Sequence, residues 1–215
     1  VEIAANEIWE ADFWEGMVKL SNRKNKTLIR PNAIYSNATY NLQIQNDDLY
    51  AIAGGENGWI YTFNGDGFSK YSNGNWTPYN RTVGTSSMDS ILDIMDIAVD
   101  KRNNYLYAAS FQSGLLELHP DNTSVVYKNT PYIQPQLGDN SYRIAGLAMD
   151  SKNNLWMSNY GAADQLVVKK ADGSWQKFAF PYSVSEKTAS QIVIDNADQK
   201  WMVAPRGVGI YVLND

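Results

Sequence analysis

Acid–base chemistry in this chain would have to begin at its single histidine, His119. It is followed by Pro120 and Asp121 at the end of an apolar run, which reads as a turn. A Ser–His–Asp mechanism needs the base beside its nucleophile, and nothing in the local sequence supplies one. Carboxylate pairs exist at Asp47-Asp48 and at Asp93 with Asp96. Adjacent turn carboxylates usually stay solvated, and a sequence does not set the ~5–9.5 Å separation of a glycosidase pair. The absence of cysteine excludes a thiol nucleophile, a Cys-ligated zinc or iron–sulfur site and a disulfide scaffold. One histidine cannot build a multi-His metal site. The expectation is a chain that is not an enzyme and holds no metal or cofactor.

Two glycine-rich runs need explaining. Gly54-Gly55-Glu56-Asn57-Gly58 leads into a strand rather than a helix, so it is no phosphate loop. Asn64-Gly65-Asp66-Gly67 resembles the opening of a calcium loop, but Asn75 stands where the bidentate Glu is required. We expect it to be a tight hairpin turn between third and fourth strands. The sequons at Asn25, Asn37, Asn75, Asn80 and Asn122 are of the kind that Asn/Thr-rich turns produce by chance. The net charge of −5 disfavours nucleic acid, which needs a cationic surface. No apolar run approaches the ~18 residues of a membrane span. Hydrophobic residues at 44% and aromatics at 13%, with seven tryptophans, describe a folded chain with a real core. Val1-Glu2-Ile3 lacks both an initiator Met and a basic leader, so a piece of a longer protein is expected.

The elements that position these residues come from a repeat. Ile97-Ala98-Val99-Asp100, Leu147-Ala148-Met149-Asp150 and Ile192-Val193-Ile194-Asp195 are short apolar strands, each ending in Asp. A polar turn follows, then a strand opened by Leu106-Tyr107, Leu155-Trp156 or Lys200-Trp201. Weaker copies are Leu42–Asn46 with Leu49-Tyr50, and Ile8-Trp9 alone. Several short strands per ~40–50 residues is the period of a β-propeller. The Asp carboxylates of Asp100, Asp150 and Asp195 are read as turn-closing acceptors of backbone N–H groups. Met88, Ile91, Leu92 and Met95 have helical spacing and read as one turn of helix at most.

The fold class is therefore all-β: a propeller segment of about 4.5–5 four-stranded blades, part of a larger ring. Blades fall at approximately 1–35, 36–84, 85–130, 131–182 and 183–215 of one incomplete domain. Their strands are named A to D. C strands are read at Gly58–Tyr61, Gly114–Leu118 and Gly209–Val212. The first blade is expected to lack A and the last to lack D. The exposed edges must then pair, be covered or close irregularly.

A–B and C–D turns share one end of a blade; B–C and D–A connections share the other. The latter are long and varied, so they mark the functional end. Trp14, Glu56, Phe111, Tyr160 and Arg206 each fall near a Gly in a B–C loop. Together they could form a rim offering aromatic faces and an anion-binding fork, suited to an acidic sugar. They could equally be packing residues, and Arg206 a turn residue. Pro205, Gly207 and Gly209 read as turn formers.

The run Lys200-Trp201-Met202-Val203-Ala204-Pro205-Arg206-Gly207-Val208-Gly209-Ile210-Tyr211-Val212 resembles a stretch of the PorZ-type proteins of type IX secretion. Ile144–Asp150 with Asn154–Asn159, and Val167–Trp175, resemble them too. More broadly, the A–B pattern is similar to the two-component-regulator propeller repeat. The likeness is good over about residues 90–215 and weak before that. It implies an exported protein of the outer-membrane surface or periplasm, built from two tandem seven-bladed propellers and a C-terminal domain. It implies no catalysis, and partners that are an anionic lipopolysaccharide or other glycan and a sortase-like protein. The alternatives are the ectodomain of a hybrid two-component regulator that senses an oligosaccharide, and a propeller lyase.

Overall fold

The computed structural model describes residues 2–4, 7–12, 16–22, 24–29, 31–83, 86–180, 187–206 and 209–214. The chain divides into two compact units, Val1–Ala33 and Ile34–Asp215.

The first unit is one antiparallel sheet: β1 (Glu2–Ala4), β2 (Glu7–Asp12), β3 (Gly16–Ser21) and β4 (Asn25–Ile29), in that order. The first blade thus has four strands, not the three expected. β1 is three residues long and lacks the terminal Asp that marks strand A elsewhere, so nothing in its sequence separates it from a loop. Lys19 ties β3 to β2 through Glu7 at 2.6 Å and lies over the Trp9 ring.

Among the described residues the second unit contains four blade sheets and one separate two-stranded sheet. The second sheet joins β5 (Asn41–Gln45), β6 (Asp48–Ile52), β9 (Phe68–Ser72) and β10 (Asn75–Tyr79). Between β6 and β9 runs an insertion carrying a small hairpin, β7 (Glu56–Asn57) with β8 (Ile60–Tyr61). Here the sequence reading needs correction. Gly58–Tyr61 is not the third strand; β9 is, and Asn64–Gly67 belongs to the insertion rather than to a third-to-fourth turn. That turn is Asn73-Gly74, both with positive φ, as a two-residue hairpin demands. The β5–β6 turn is likewise two residues, Asn46 and Asp47, both left-handed. It closes without the carboxylate cap used later.

The third sheet is β11 (Ile94–Asp100), β12 (Tyr105–Ser110), β13 (Gly114–Leu118) and β14 (Ser124–Tyr127). A short 3-10 turn, Ser86–Ser90, leads into it, and Met88 and Ile91 are buried there. The fourth sheet is β15 (Ile144–Met149), β16 (Leu155–Asn159), β17 (Leu166–Lys169) and β18 (Trp175–Phe178). The last has three strands among the described residues: β19 (Ile192–Ile194), β20 (Lys200–Ala204) and β21 (Gly209–Leu213).

Neighbouring sheets of this unit pack face to face, because alternate side chains of each strand point to opposite faces. Ile52, Phe68, Ile94, Ile97 and Leu116 fill the space between the second and third sheets. Leu115, Ile144, Leu147, Met157 and Val167 fill the next, and Trp156, Val168, Ile192 and Met202 the last. The first strands, β5, β11, β15 and β19, run side by side along the inside. This is the packing of propeller blades.

Asp100, Asp150 and Asp195 each accept hydrogen bonds from backbone N–H groups in the turn that follows. Asp150 accepts from the N–H groups of Lys152 (2.9 Å) and Asn154 (2.7 Å), and from the Trp156 indole at 2.9 Å. Asp195 repeats this with Ala197, Gln199 and Trp201. Asp100 takes the Arg102 N–H and guanidinium.

Candidate functional site

In the second unit the B–C and D–A connections are joined to each other by backbone hydrogen bonds. Tyr142 bonds Gln112, Leu137 bonds Gly161, and Gly161 bonds Lys187. This end of the sheets is therefore one continuous loop surface.

The insertion of the second sheet is anchored there by Asp93, which is fully buried. Its carboxylate accepts from Asn64 N (2.7 Å), Thr62 Oγ1 (3.0 Å) and Phe63 N (3.1 Å). Gly55 is required because a Cβ would lie 2.2 Å from the Asp93 Cα. The first of the two glycine-rich runs is thus a close-approach device.

At the hairpin tip Glu56 accepts the Trp59 N–H at 2.7 Å, and Trp59 has φ 67. The Trp59 ring stacks on Tyr160 of the fourth sheet at 5.4 Å and 10°. Phe111 of the third sheet meets the Tyr160 ring at 5.1 Å. Arg143 locks the arrangement. Its guanidinium donates to the Trp59 carbonyl (3.0 Å) and to Asp139 (2.7 Å), and lies over the Tyr61 and Phe111 rings at 5.1 and 5.2 Å. A planar, delocalised cation suits such a site, since it can stack and bond at once. Burial raises the Asp139 carboxyl. The Ser141 and Arg143 hydrogen bonds outweigh that and hold it below the usual carboxylate range.

The residues expected at a rim are placed as follows. Phe111 and Tyr160 come together, but at 0% and 2% exposure they are the buried floor of the loop surface. Glu56 is half-buried in the hairpin turn. Arg206 is exposed in the β20–β21 turn with φ 67, and the Pro205 carbonyl before it accepts from Thr188 Oγ1 at 3.0 Å. Gly209 opens β21 with φ 113. Trp14 and Gly207 lie outside the described residues. The sequence did not single out Arg143 or Trp59 for this site, since their partners lie far apart in the chain. It paired Asp93 with Asp96 as carboxylates, whereas Asp93 instead anchors the insertion.

Beside the Arg143 cluster is an open cleft of about 590 Å³. Tyr61 and Tyr142 flank it, and Gln112, Lys128, Asp139 and Asn140 line it. A larger groove of about 1190 Å³ follows the inner strands. Asp96 is buried in its wall, at a bulge in β11. Its carboxylate accepts from Leu147 N (2.7 Å), Ile97 N (2.9 Å) and the Gln43 amide, joining three sheets. Burial, only partly offset by the Leu147, Gln43 and Ile97 bonds, pushes its pKa up to about 6.

His119 lies at the opposite end, in the β13–β14 turn. It contacts Glu117 at 2.8 Å and Thr123 at 2.9 Å and stacks on Tyr105. Among the described residues no group of three or more His, Cys, Asp or Glu is arranged to hold a metal. Among the described residues no helix is long and apolar enough to cross a membrane.

The fold and its looped end define a β-propeller segment. No protein-family model and no curated protein matches the sequence. Solved structures do. One is PorZ, a bacterial surface component of the type-IX secretion system of Porphyromonas gingivalis. It is 19% identical over 98% of this chain and 30% of that one, with a TM-score of 0.77. The extracellular domain of the putative one-component system BT4673 from B. thetaiotaomicron is 16% identical over 98% of this chain and 26% of that one, with a TM-score of 0.56. Virginiamycin B lyase from Staphylococcus aureus is 16% identical over 99% of this chain and 68% of that one, with a TM-score of 0.57. The chain therefore spans under a third of the first two proteins it matches. The likeness is one of fold.

Proposed function

We propose that this chain is a non-catalytic recognition segment of an exported propeller protein, which takes an anionic glycan at its B–C/D–A end. The observation that carries the reading is the cleft beside Arg143. It offers two tyrosine rings for a sugar face, the Gln112 and Asn140 amides for hydroxyls, and the exposed Lys128 for a carboxylate or phosphate. Phe111, Tyr160 and Trp59 serve as its rigid support, Glu56 as the clasp of the hairpin, and Arg206 as a more distant contact at the same end. In this reading the parent protein is PorZ-like and sits at the outer-membrane surface or in the periplasm, with lipopolysaccharide as the glycan and a sortase-like protein as partner.

Calorimetric titration with a uronate-containing oligosaccharide and a neutral one of equal length tests this. We expect the anionic ligand to bind and Lys128→Ala to weaken it tenfold or more. Equal affinity in the variant, or no heat at all, defeats the reading. Unchanged binding in Arg206→Ala would make Arg206 a turn residue only. The fold likeness to a regulator ectodomain supports a second reading, in which the same cleft senses an oligosaccharide for a signalling domain. A lyase would have to use His119, whose ring is engaged at the other end of the sheets.

A further inference from the structure

A pocket of about 330 Å³ opens between the second and third sheets at the A–B/C–D end, away from the cleft beside Arg143. Three turns shape it: β5–β6 with Asn46, β11–β12 with Asn104, and β13–β14 with His119 and Asn122. Val99, Leu106 and Leu118 give it an apolar wall, continuous with the core between the two sheets. Neither sheet contains an end of the chain.

Asn46, Asn104 and Asn122 each have positive φ, at 51, 57 and 64. Asparagine tolerates that conformation, and in turns it commonly spends its side chain on nearby backbone. Asn64, Asn80 and Asn103 do so, accepting from Asp66 N, Val83 N and Tyr105 N. Asn46, Asn104 and Asn122 do not. Among the described residues their side-chain amides have no hydrogen-bond partner, yet all three asparagines line the pocket. The charged groups there are already spent. Lys70 meets Asp48 at 2.7 Å. Burial raises the Asp48 carboxyl, but the Lys70 and Ser72 hydrogen bonds outweigh that and hold it below the usual carboxylate range. His119 is engaged by Glu117, which also holds Lys169 at 3.0 Å. What the pocket has left over is uncharged hydrogen-bonding capacity beside an apolar wall.

We propose that this pocket binds a single neutral hexopyranose ring. Each asparagine amide offers a donor and an acceptor, and each sugar hydroxyl is both as well. The C–H face of the ring lies on Val99, Leu106 and Leu118. The volume is at the small end for ligand sites, which suits one ring rather than a chain of them. An anion would find no unpaired cation among the lining residues. The site stands apart from the cleft beside Arg143 and does not depend on it.

Methyl glucopyranoside, galactopyranoside and mannopyranoside are the probes, titrated into the isotope-labelled intact chain while side-chain amide signals are followed by NMR. At least one should shift the Asn46, Asn104 and Asn122 amides together. The double variant Asn104→Gly with Asn122→Gly keeps the turns, because glycine accepts positive φ, and removes two amides. It should weaken binding about fivefold or more. No shift with any of the three sugars overturns the proposal, as does equal affinity in the variant. Shifts confined to Gln112 and Asn140 overturn it too, since the sugar is then in the other cleft. Tighter binding of methyl glucuronide at the three asparagines would overturn the preference for a neutral ring.

Discussion

Asp96 binds its proton more tightly in the folded chain than in the unfolded one. Its pKa is about 6 when folded, against an ordinary value near 3.9. The folded state then takes up a proton as pH falls from about 6 towards 4, so this residue adds stability on acidification. The cost of its charge at neutral pH is about 2–3 kcal/mol. Glu117 works in the other direction. Its carboxyl is raised by burial but lowered more by His119, Lys169 and Tyr127, and the stability it gives is lost as pH falls through its depressed pKa. Urea midpoints should therefore rise from pH 7 to about pH 5 and then fall, and Asp96→Asn should flatten the rise. Asp150→Ala removes an acceptor from two backbone N–H groups and a buried indole, and should cost about 2–3 kcal/mol in urea unfolding. Asp195→Ala removes the same set beside an exposed tryptophan and should cost less.

Among the elements, the insertion hairpin is the least expected and the most exposed to test. Gly55→Ala sets a methyl group against the Asp93 backbone and should lower thermal stability by about 2 kcal/mol or more. Trp59→Ala should leave the sheets folded but free the hairpin, seen as faster exchange of the Glu56–Tyr61 amides. The strand pairs capped by Asp100, Asp150 and Asp195 were legible in the sequence because cap, turn and aromatic are local. β1 was not, since three residues without a cap carry no pattern. Gly58–Tyr61 reads as a third strand by every local rule; only the pairing of β6 with β9 overrides it. Phe111 and Tyr160 stand near glycines in the sequence and read as a rim, but both are buried, packed against Trp59, with Arg143 over the Phe111 ring. Arg143 donates to a carbonyl 84 residues away, and no spacing in the sequence announces that.

At the scale of the molecule, the sheets of the second unit are joined mostly to their immediate neighbours, as in a repeat array. The tie from Arg143 and Tyr160 to Trp59 is different, for it reaches from the fourth sheet to the second past the third. Such a tie couples units that would otherwise open one at a time. The second, third and fourth sheets should melt as one cooperative block. The last sheet, outside the tie, should fray alone at a lower free energy. Native-state hydrogen exchange would resolve these as two groups of amides, and Arg143→Ala should split the first. The hairpin insertion thus acts as a clamp on folding cooperativity, and the energy landscape of the chain has a step where the clamp ends.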